Sequence, residues 1–276
     1  MSMRPPRTTL TFVLGLLSSL ATLPGLIGAE SPADRGTFAR QAWQDTGDFV
    51  QAPARFNAHD WSIAGLWIAG LGVGMQADHR IGGWVANHPS GLQNDLSKTF
   101  EPFGQSASFA VLAGFAARGY WGDDPRALRT AQEGLEVSLL GAGLAAPSLK
   151  FVAGRPRPNA AAFGADPQFF NHQSSFPSGH TAQAFGVATV IAENYGADHA
   201  WVPWVAYGTA GMVGWQRVYS RHHNPTDVVA GAAIGYYAAQ WVVRRHRVER
   251  TAAAASWEIS PTVLTDGLMI GARRSF

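Results

Sequence analysis

The 276-residue sequence has no cysteine, which removes disulfides, thiolate metal sites and a cysteine nucleophile together. Charge is scarce as well. Asp, Glu, Lys and Arg make up 14% of the chain, against roughly 25% in an average soluble protein. With 46% hydrophobic residues, the chain has little solvated surface and needs a large core or contact with a membrane. The formal net charge is only +2 and the basic residues form no continuous block, so nucleic-acid binding has no compositional support. No His-Glu-x-x-His spacing is present, which leaves the zinc-protease class without its ligands. No internal repeat is evident either.

The N-terminus has the layout of an export signal. Arg4 and Arg7 precede an uncharged stretch from Thr8 to Ala29, and Pro24-Gly25 breaks it shortly before Ile27-Gly28-Ala29. Residues 1–29 are therefore expected to be a signal peptide cleaved after Ala29. An uncleaved anchor is the alternative, because a stretch of this length reaches across a bilayer.

Residues 30–58 read as a mixed lead-in with room for one short helix. Six stretches free of Asp, Glu, Lys and Arg then recur, at 61–77, 102–117, 137–149, 181–192, 200–216 and 228–243. They exceed strand lengths and are rich in Ala, Leu, Gly and Met, so each suits a buried helix. Glycines such as Gly65, Gly70, Gly72 and Gly74 permit close helix packing. The expected fold is all-α, a bundle of about six core helices over residues 59–250. A membrane span needs about 20 apolar residues, and the stretches fall short of that, which favours an exported bundle. The arginines at 118, 126, 129, 244, 245 and 247 fit the alternative, an integral inner-membrane protein with its site facing outward. In the tail, 251–276, Trp257, Ile259, Pro261 and Val263 alternate up to Asp266-Gly267, which predicts a β-hairpin packed on the bundle.

Three clusters carry chemistry. The first, Lys150 to Pro158, follows an apolar helix and ends in two Arg-Pro pairs. Arg157 offers a planar fork matched to phosphate oxygens, and Lys150 a point charge. A basic helix C-terminus complementing the dipole explains the same residues less specifically. The second, Ser175 to Thr181, runs straight into an apolar helix, so free backbone amides at Gly179, the Ser178 hydroxyl and His180 face an anion. Ser178 also suits an ordinary N-cap, although Pro-Ser-Gly-His is expected by chance at only about one in 10⁵ positions. The third spans Gln216 to Asp227. His223 and Asp227 lie four residues apart across Pro225, close enough for the carboxylate to accept one ring N–H and leave the other nitrogen free to attack. Arg217 adds a second guanidinium.

In order and spacing the three clusters resemble the tripartite pattern of the type-2 phosphatidic acid phosphatase and vanadium haloperoxidase superfamily. That pattern is Lys, six residues, Arg-Pro; then Pro-Ser-Gly-His; then Ser-Arg, five residues, His, three residues, Asp. Lys150, Arg157-Pro158, Pro177 to His180, Arg217, His223 and Asp227 match it. Gln216 departs from it, standing where the family has Ser, and altered phosphate positioning or substrate choice is expected from that change. A register on Ser220-Arg221 is rejected, since it puts Asp227 at the position of the nucleophilic His.

The resemblance implies a metal-independent phosphatase that hydrolyses phosphate monoesters, lipid phosphates or diphosphates through a phosphohistidine. His223 is the implied nucleophile, His180 the acid and base, and Asp227 the support of the developing imidazolium. Lys150, Arg157, Arg217, Ser178 and Gly179 hold the phosphate in place of a metal, so no cofactor is implied. A vanadate-dependent haloperoxidase and a non-catalytic phosphate- or lipid-binding protein are the alternatives. Trp61, Trp67, Trp84, Trp121, Trp201 and Trp204 fill a core or form a lipid-facing rim, and a membrane surface is thus a possible partner beside the substrate. The remaining histidines, His59, His79, His88, His172, His199, His222 and His246, are expected at the surface or in hydrogen bonds.

Overall fold

Capping side chains, prolines and glycines set the helix boundaries. The structure, a computed structural model, describes residues 32–171, 173–254, 257–264 and 267–274. The expected signal peptide and His172 lie outside the described residues. Helix α1 (Pro32–Gln51) fills most of the lead-in, longer than the short helix expected there, and ends in a 3-10 turn, Ala52–Arg55. Helix α2 (Ala58–Asn87) opens with a capping box, in which Asn57 Oδ1 accepts from His59 N and Asp60 N while Asp60 accepts from Asn57 N. Helix α3 (Gly91–Phe100), capped by Ser90, was not foreseen; a second 3-10 turn, Glu101–Gly104, leads from it to α4 (Ser106–Trp121).

Asp124 caps α5 (Pro125–Val137), and Pro125 sits where a missing N–H costs nothing. The helix continues through a π-helical segment, Ser138–Ala145, into α6 (Ala146–Ala153). Pro147 explains the widened turn, because a proline inside a helix removes one donor and crowds the carbonyl four residues back. This run, Pro125–Ala153, is among the described residues the one helix long and apolar enough to cross a membrane. Helices α7 (Gly179–Tyr195), α8 (Trp201–Tyr219) and α9 (Pro225–Ala254) complete the bundle.

The six apolar stretches fall on helices, apart from the cap residue Ala200 and from 102–105, which belong to the turn that leads into α4. The described fold up to residue 254 is all-helical. The expected hairpin packed on the bundle is not supported. Segments Trp257–Leu264 and Gly267–Arg274 pair antiparallel with each other, and their side chains lie outside the described residues.

Helix α7 is the centre, packed against α5, α8 and α9. Val137, Leu140, Val190, Ala238, Val242 and Val243 form one buried cluster, and Ala184, Ala188, Ala210 and Val213 another. Small residues let the backbones approach. A Cβ on Gly235 of α9 would run into Ala182 O and Gly186 N of α7, and one on Gly186 into Val137. The outward faces are apolar too. The six tryptophans in question are exposed, from 38% at Trp67 to 82% at Trp204.

The close α7–α9 crossing predicts that Gly235→Ala destabilises the protein by about 3 kcal/mol or more, since backbone cannot give way as a side chain does. Gly211→Ala on the open face of α8, where a Cβ meets nothing, is expected to stabilise by up to about 1 kcal/mol. Chemical denaturation of the two variants checks both.

Candidate active site

Gly154 ends α6 in the left-handed region, at φ +54, and a Cβ there would collide with Gln168 O. Only glycine makes this turn easily, and it sends the chain from Lys150 directly inward to Arg155. Backbone bonds then stitch the three clusters: Ser175 N donates to Arg155 O at 2.9 Å and Ser178 N to Asp227 O at 2.9 Å. A Cβ on Gly231 would meet Ser178 O, so α9 also needs a glycine where this loop crosses it.

The bases converge. Lys150 Nζ donates to Ser174 O at 2.6 Å and Arg157 Nε to Ser174 Oγ at 3.1 Å, so one residue steadies both. Arg217, 3% exposed, gives NH1 to Glu101 at 3.2 Å and to Gln216 Oε1 at 3.3 Å, while its Nε–H meets no acceptor among the described residues. Gln216 thus holds the arginine from the position where the family has Ser. Burial, then Arg157 and Arg217 close by, pull the Lys150 ammonium down to about 7, and burial likewise lowers Arg157 and Arg217. Cations crowded this way are stabilised by an anion among them.

Ser178 caps α7. Its oxygen accepts from Thr181 N and from Thr181 Oγ1 at 2.8 Å, which leaves its own proton for another acceptor. Gly179 follows with open space where a side chain would be. His180 is pushed down to about 3 by burial and then by the charges of Arg217, His223, Lys150 and Arg157. Those same interactions put it in one electrostatic cluster with the other site residues.

His223, 2% exposed, corrects one expectation. Its Nδ1 lies 2.6 Å from Ser175 O and 3.8 Å from Asp227 Oδ2, so the ring N–H is donated to a backbone carbonyl and the carboxylate stands behind it. The tautomer still leaves the lone pair on Nε2. Burial draws the imidazole down to about 4 against the pull of Asp227. His222 faces Ser220 Oγ at 2.8 Å.

Sequence reasoning missed Arg155. It is fully buried and donates to Asp227 Oδ1 at 2.8 Å, Asp78 Oδ2 at 2.7 Å, Thr226 Oγ1 at 2.8 Å and Ala165 O at 2.8 Å. Asp227 Oδ2 in turn accepts from Ser175 Oγ at 2.6 Å and Asn224 N at 2.7 Å. Burial alone would raise Asp227, but His223, Arg155, Ser175 and Asn224 outweigh it and hold the carboxylate below its usual range. Asp78, on α2, also accepts from Thr226 N at 2.9 Å. Its signal was available: a lone acid closing an apolar helical run. Two further residues come from the Glu101–Gly104 turn. Glu101 pairs with Arg217, and a Cβ on Gly104 would strike His180. The carboxylates here are each already paired with an arginine, Asp78 and Asp227 with Arg155 and Glu101 with Arg217, so the cluster of Lys150, Arg157, Arg217, His180 and His223 suits an anion.

Arg155→Met leaves two buried carboxylates uncompensated and is expected to cost about 3–5 kcal/mol in urea denaturation. Adding Asp78→Leu to it should recover part of that loss, because one orphaned charge is then removed.

Comparison with known proteins bears on this cluster. The family model of the PAP2 superfamily matches residues 134–250. A lipid A 1-phosphatase of Porphyromonas gingivalis is 34% identical over 103 residues, which are 37% of this chain and 20% of that protein, so the match spans about a fifth of the relative. Among solved structures, a transmembrane PAP2 type phosphatidylglycerolphosphate phosphatase of Bacillus subtilis shares the fold, with a TM-score of 0.50 and 21% identity over 68% of this chain and 95% of that one. Aquifex aeolicus LpxE aligns over 60% of this chain and 93% of its own, with 23% identity and a TM-score of 0.47. Every candidate site residue from Lys150 to Asp227 falls inside residues 134–250, the region that resembles the PAP2 superfamily.

Proposed function

We propose that this protein is a metal-independent phosphatase that hydrolyses lipid phosphates through a phosphohistidine, outside the cytoplasm and against a membrane. The observation that carries the reading is the single cluster of Lys150, Arg157, Arg217, His180 and His223 at the start of α7, with open space over Gly179. The phosphate oxygens are held by the three cations, the Ser178 hydroxyl and the Gly179 amide, donors preorganised for the charge of the transition state.

His223 Nε2 attacks phosphorus while the P–O ester bond breaks, and the leaving alkoxide takes its proton from His180. Substrate supplies the condition for that step. His180 is held neutral mainly by burial and by surrounding positive charge, and a bound phosphate offsets the charges of Arg217, Lys150 and Arg157. His180 then deprotonates a water whose oxygen attacks phosphorus; the P–N bond breaks, its electron pair returns to His223 Nε2, and phosphate is freed. As the imidazolium forms, Ser175 O accepts its Nδ1–H and Asp227, 3.8 Å away, stabilises its charge.

A lipid substrate is supported by apolar surface beside the cations. Leu149, Phe151 and Val152 flank Lys150 on the helix that carries it, and Phe169 and Phe170 follow in the returning loop, all exposed. Phe151 and Phe170 meet edge to face with ring centroids 5.8 Å apart, and together they offer acyl chains a surface within reach of the phosphate cradle. The Porphyromonas relative, a lipid A 1-phosphatase, agrees in substrate class. Exposed Trp61, Trp67, Trp84, Trp201 and Trp204 suit contact with lipid headgroups.

In mixed micelles containing EDTA, the protein is expected to dephosphorylate a lipid phosphate faster than a soluble chromogenic phosphomonoester. His223→Ala should lower turnover at least about 10³-fold, or about 4 kcal/mol. Turnover that needs a divalent ion and survives His223→Ala sinks the mechanism. The alkaline limb of kcat/KM should fall near pH 7, where Lys150 loses its proton and the cradle one charge. Lys150→Arg should move that limb upward by at least about one unit, because arginine stays protonated.

A further inference from the structure

Buried ionisable groups with no part in this chemistry gather at the far end of the bundle. Asp45 on α1, Glu133 and Glu136 on α5 and His246 on α9 are between 0% and 8% exposed, and His246, expected at the surface or in a hydrogen bond, is the hydrogen-bonded kind, buried against Asp45. The rise of about 1.5 Å per residue along α9 puts His246 roughly 28 Å from Asp227.

Carboxylates face both nitrogens of the ring. Nε2 lies 3.2 Å from Asp45 Oδ2 and 3.3 Å from Glu136 Oε2, and Nδ1 lies 3.5 Å from Glu133 Oε1. One ligand atom from each of Asp45, Glu136 and His246 fits within 4.8 Å of the others. Ligand bonds of about 2.0–2.1 Å in a tetrahedron place neighbouring donors roughly 3.3 Å apart, the spacing seen here between Nε2 and the two carboxylates. Glu136 supplies an independent sign. Although the residue is 2% exposed, neither of its oxygens accepts a hydrogen bond of good geometry, and Oε2 has only the ionic contact with the His246 ring. Glu133, by contrast, is fixed by Asn194 Nδ2 at 2.8 Å and Arg250 NH1 at 3.3 Å, and backs Nδ1 as a carboxylate backs a metal-bound imidazole. Arg245 occupies the Oδ1 side of Asp45 at 2.5 Å and leaves Oδ2 for a ligand role. A cavity lined by Arg40, Gln41, Gln44, Asp45, Arg245 and Glu249 gives access from solvent.

We propose that Asp45, Glu136 and His246 bind one first-row divalent cation, zinc fitting best, which fastens α1 to α5 and α9 and takes no part in phosphate hydrolysis. The competing arrangement is an imidazolium among carboxylates with no ion. Binding replaces the Nε2 proton by the metal and exchanges the ionic contact of Glu136 with the ring for a ligand bond.

The test uses the full chain, stripped with a chelator and titrated with Zn²⁺, with Co²⁺ as a spectroscopic substitute. One equivalent should bind, raising the melting midpoint by at least about 5 °C. Co²⁺ should give visible absorption of nitrogen and oxygen coordination, and Glu136→Gln should weaken Zn²⁺ binding at least about 10-fold. A wild-type chain that binds no Zn²⁺ and shows no Co²⁺ absorption overturns the proposal, as does undiminished binding by Glu136→Gln. Should that variant not fold, the wild-type titration and spectrum decide alone. His223-dependent turnover is unaffected by either result, so this site and the phosphatase reading fail separately.

Discussion

The buried ion pairs of Arg155 are the constraint on which the site depends. A guanidinium with no exposure to water is tolerable only where its charge is matched and its donors are used, and Asp78, Asp227, Thr226 and Ala165 O use them. Because those partners come from α2, the start of α9 and the loop after α6, one side chain fixes the relative position of three elements. Asp227 then holds Ser175 and Asn224, and Ser175 O holds the ring of His223. The histidine is therefore oriented through a chain of bonds that begins away from it.

Around that frame the site is strained electrostatically on purpose of its chemistry: cations lie close together and partly out of water. Lys150 and His180 both hold their protons less firmly than they would in solvent, for the same two reasons, burial and neighbouring positive charge. In the proposed mechanism a bound phosphate removes the second reason, so that Coulomb's law would link substrate binding to the readiness of His180 to donate a proton.

The helices are joined by small residues inside and covered by large apolar ones outside. Gly186, Gly231 and Gly235 allow α7 and α9 to touch through their backbones, and alanines and valines fill what remains. The tryptophans and phenylalanines that a water-soluble bundle would bury are instead turned outward on α2, α6 and α8. This inversion is consistent with the lipid substrate proposed above, and it explains how low charge and many aromatic residues coexist with a core of small side chains.

Much of this was legible in one dimension. Helices were readable because uncharged runs too long for strands recur along the chain, and the candidate site because Lys150, Arg157, Ser178, His180, Arg217, His223 and Asp227 stand in short, chemically unusual strings. Arg155 was on the page in the same string, yet nothing in its neighbours tells that it turns inward while Arg157, two residues on, serves the cradle. That outcome depends on the left-handed turn at Gly154 and on Asp78, 77 residues earlier, waiting on another helix. Likewise the partner of the His223 ring is a backbone carbonyl, which no residue identity records. The sequence by itself determined which groups can carry charge, protons and helices; the tertiary structure decided which carboxylate meets which base, because buried charges are paired by proximity in space, and separation along the chain says nothing of it.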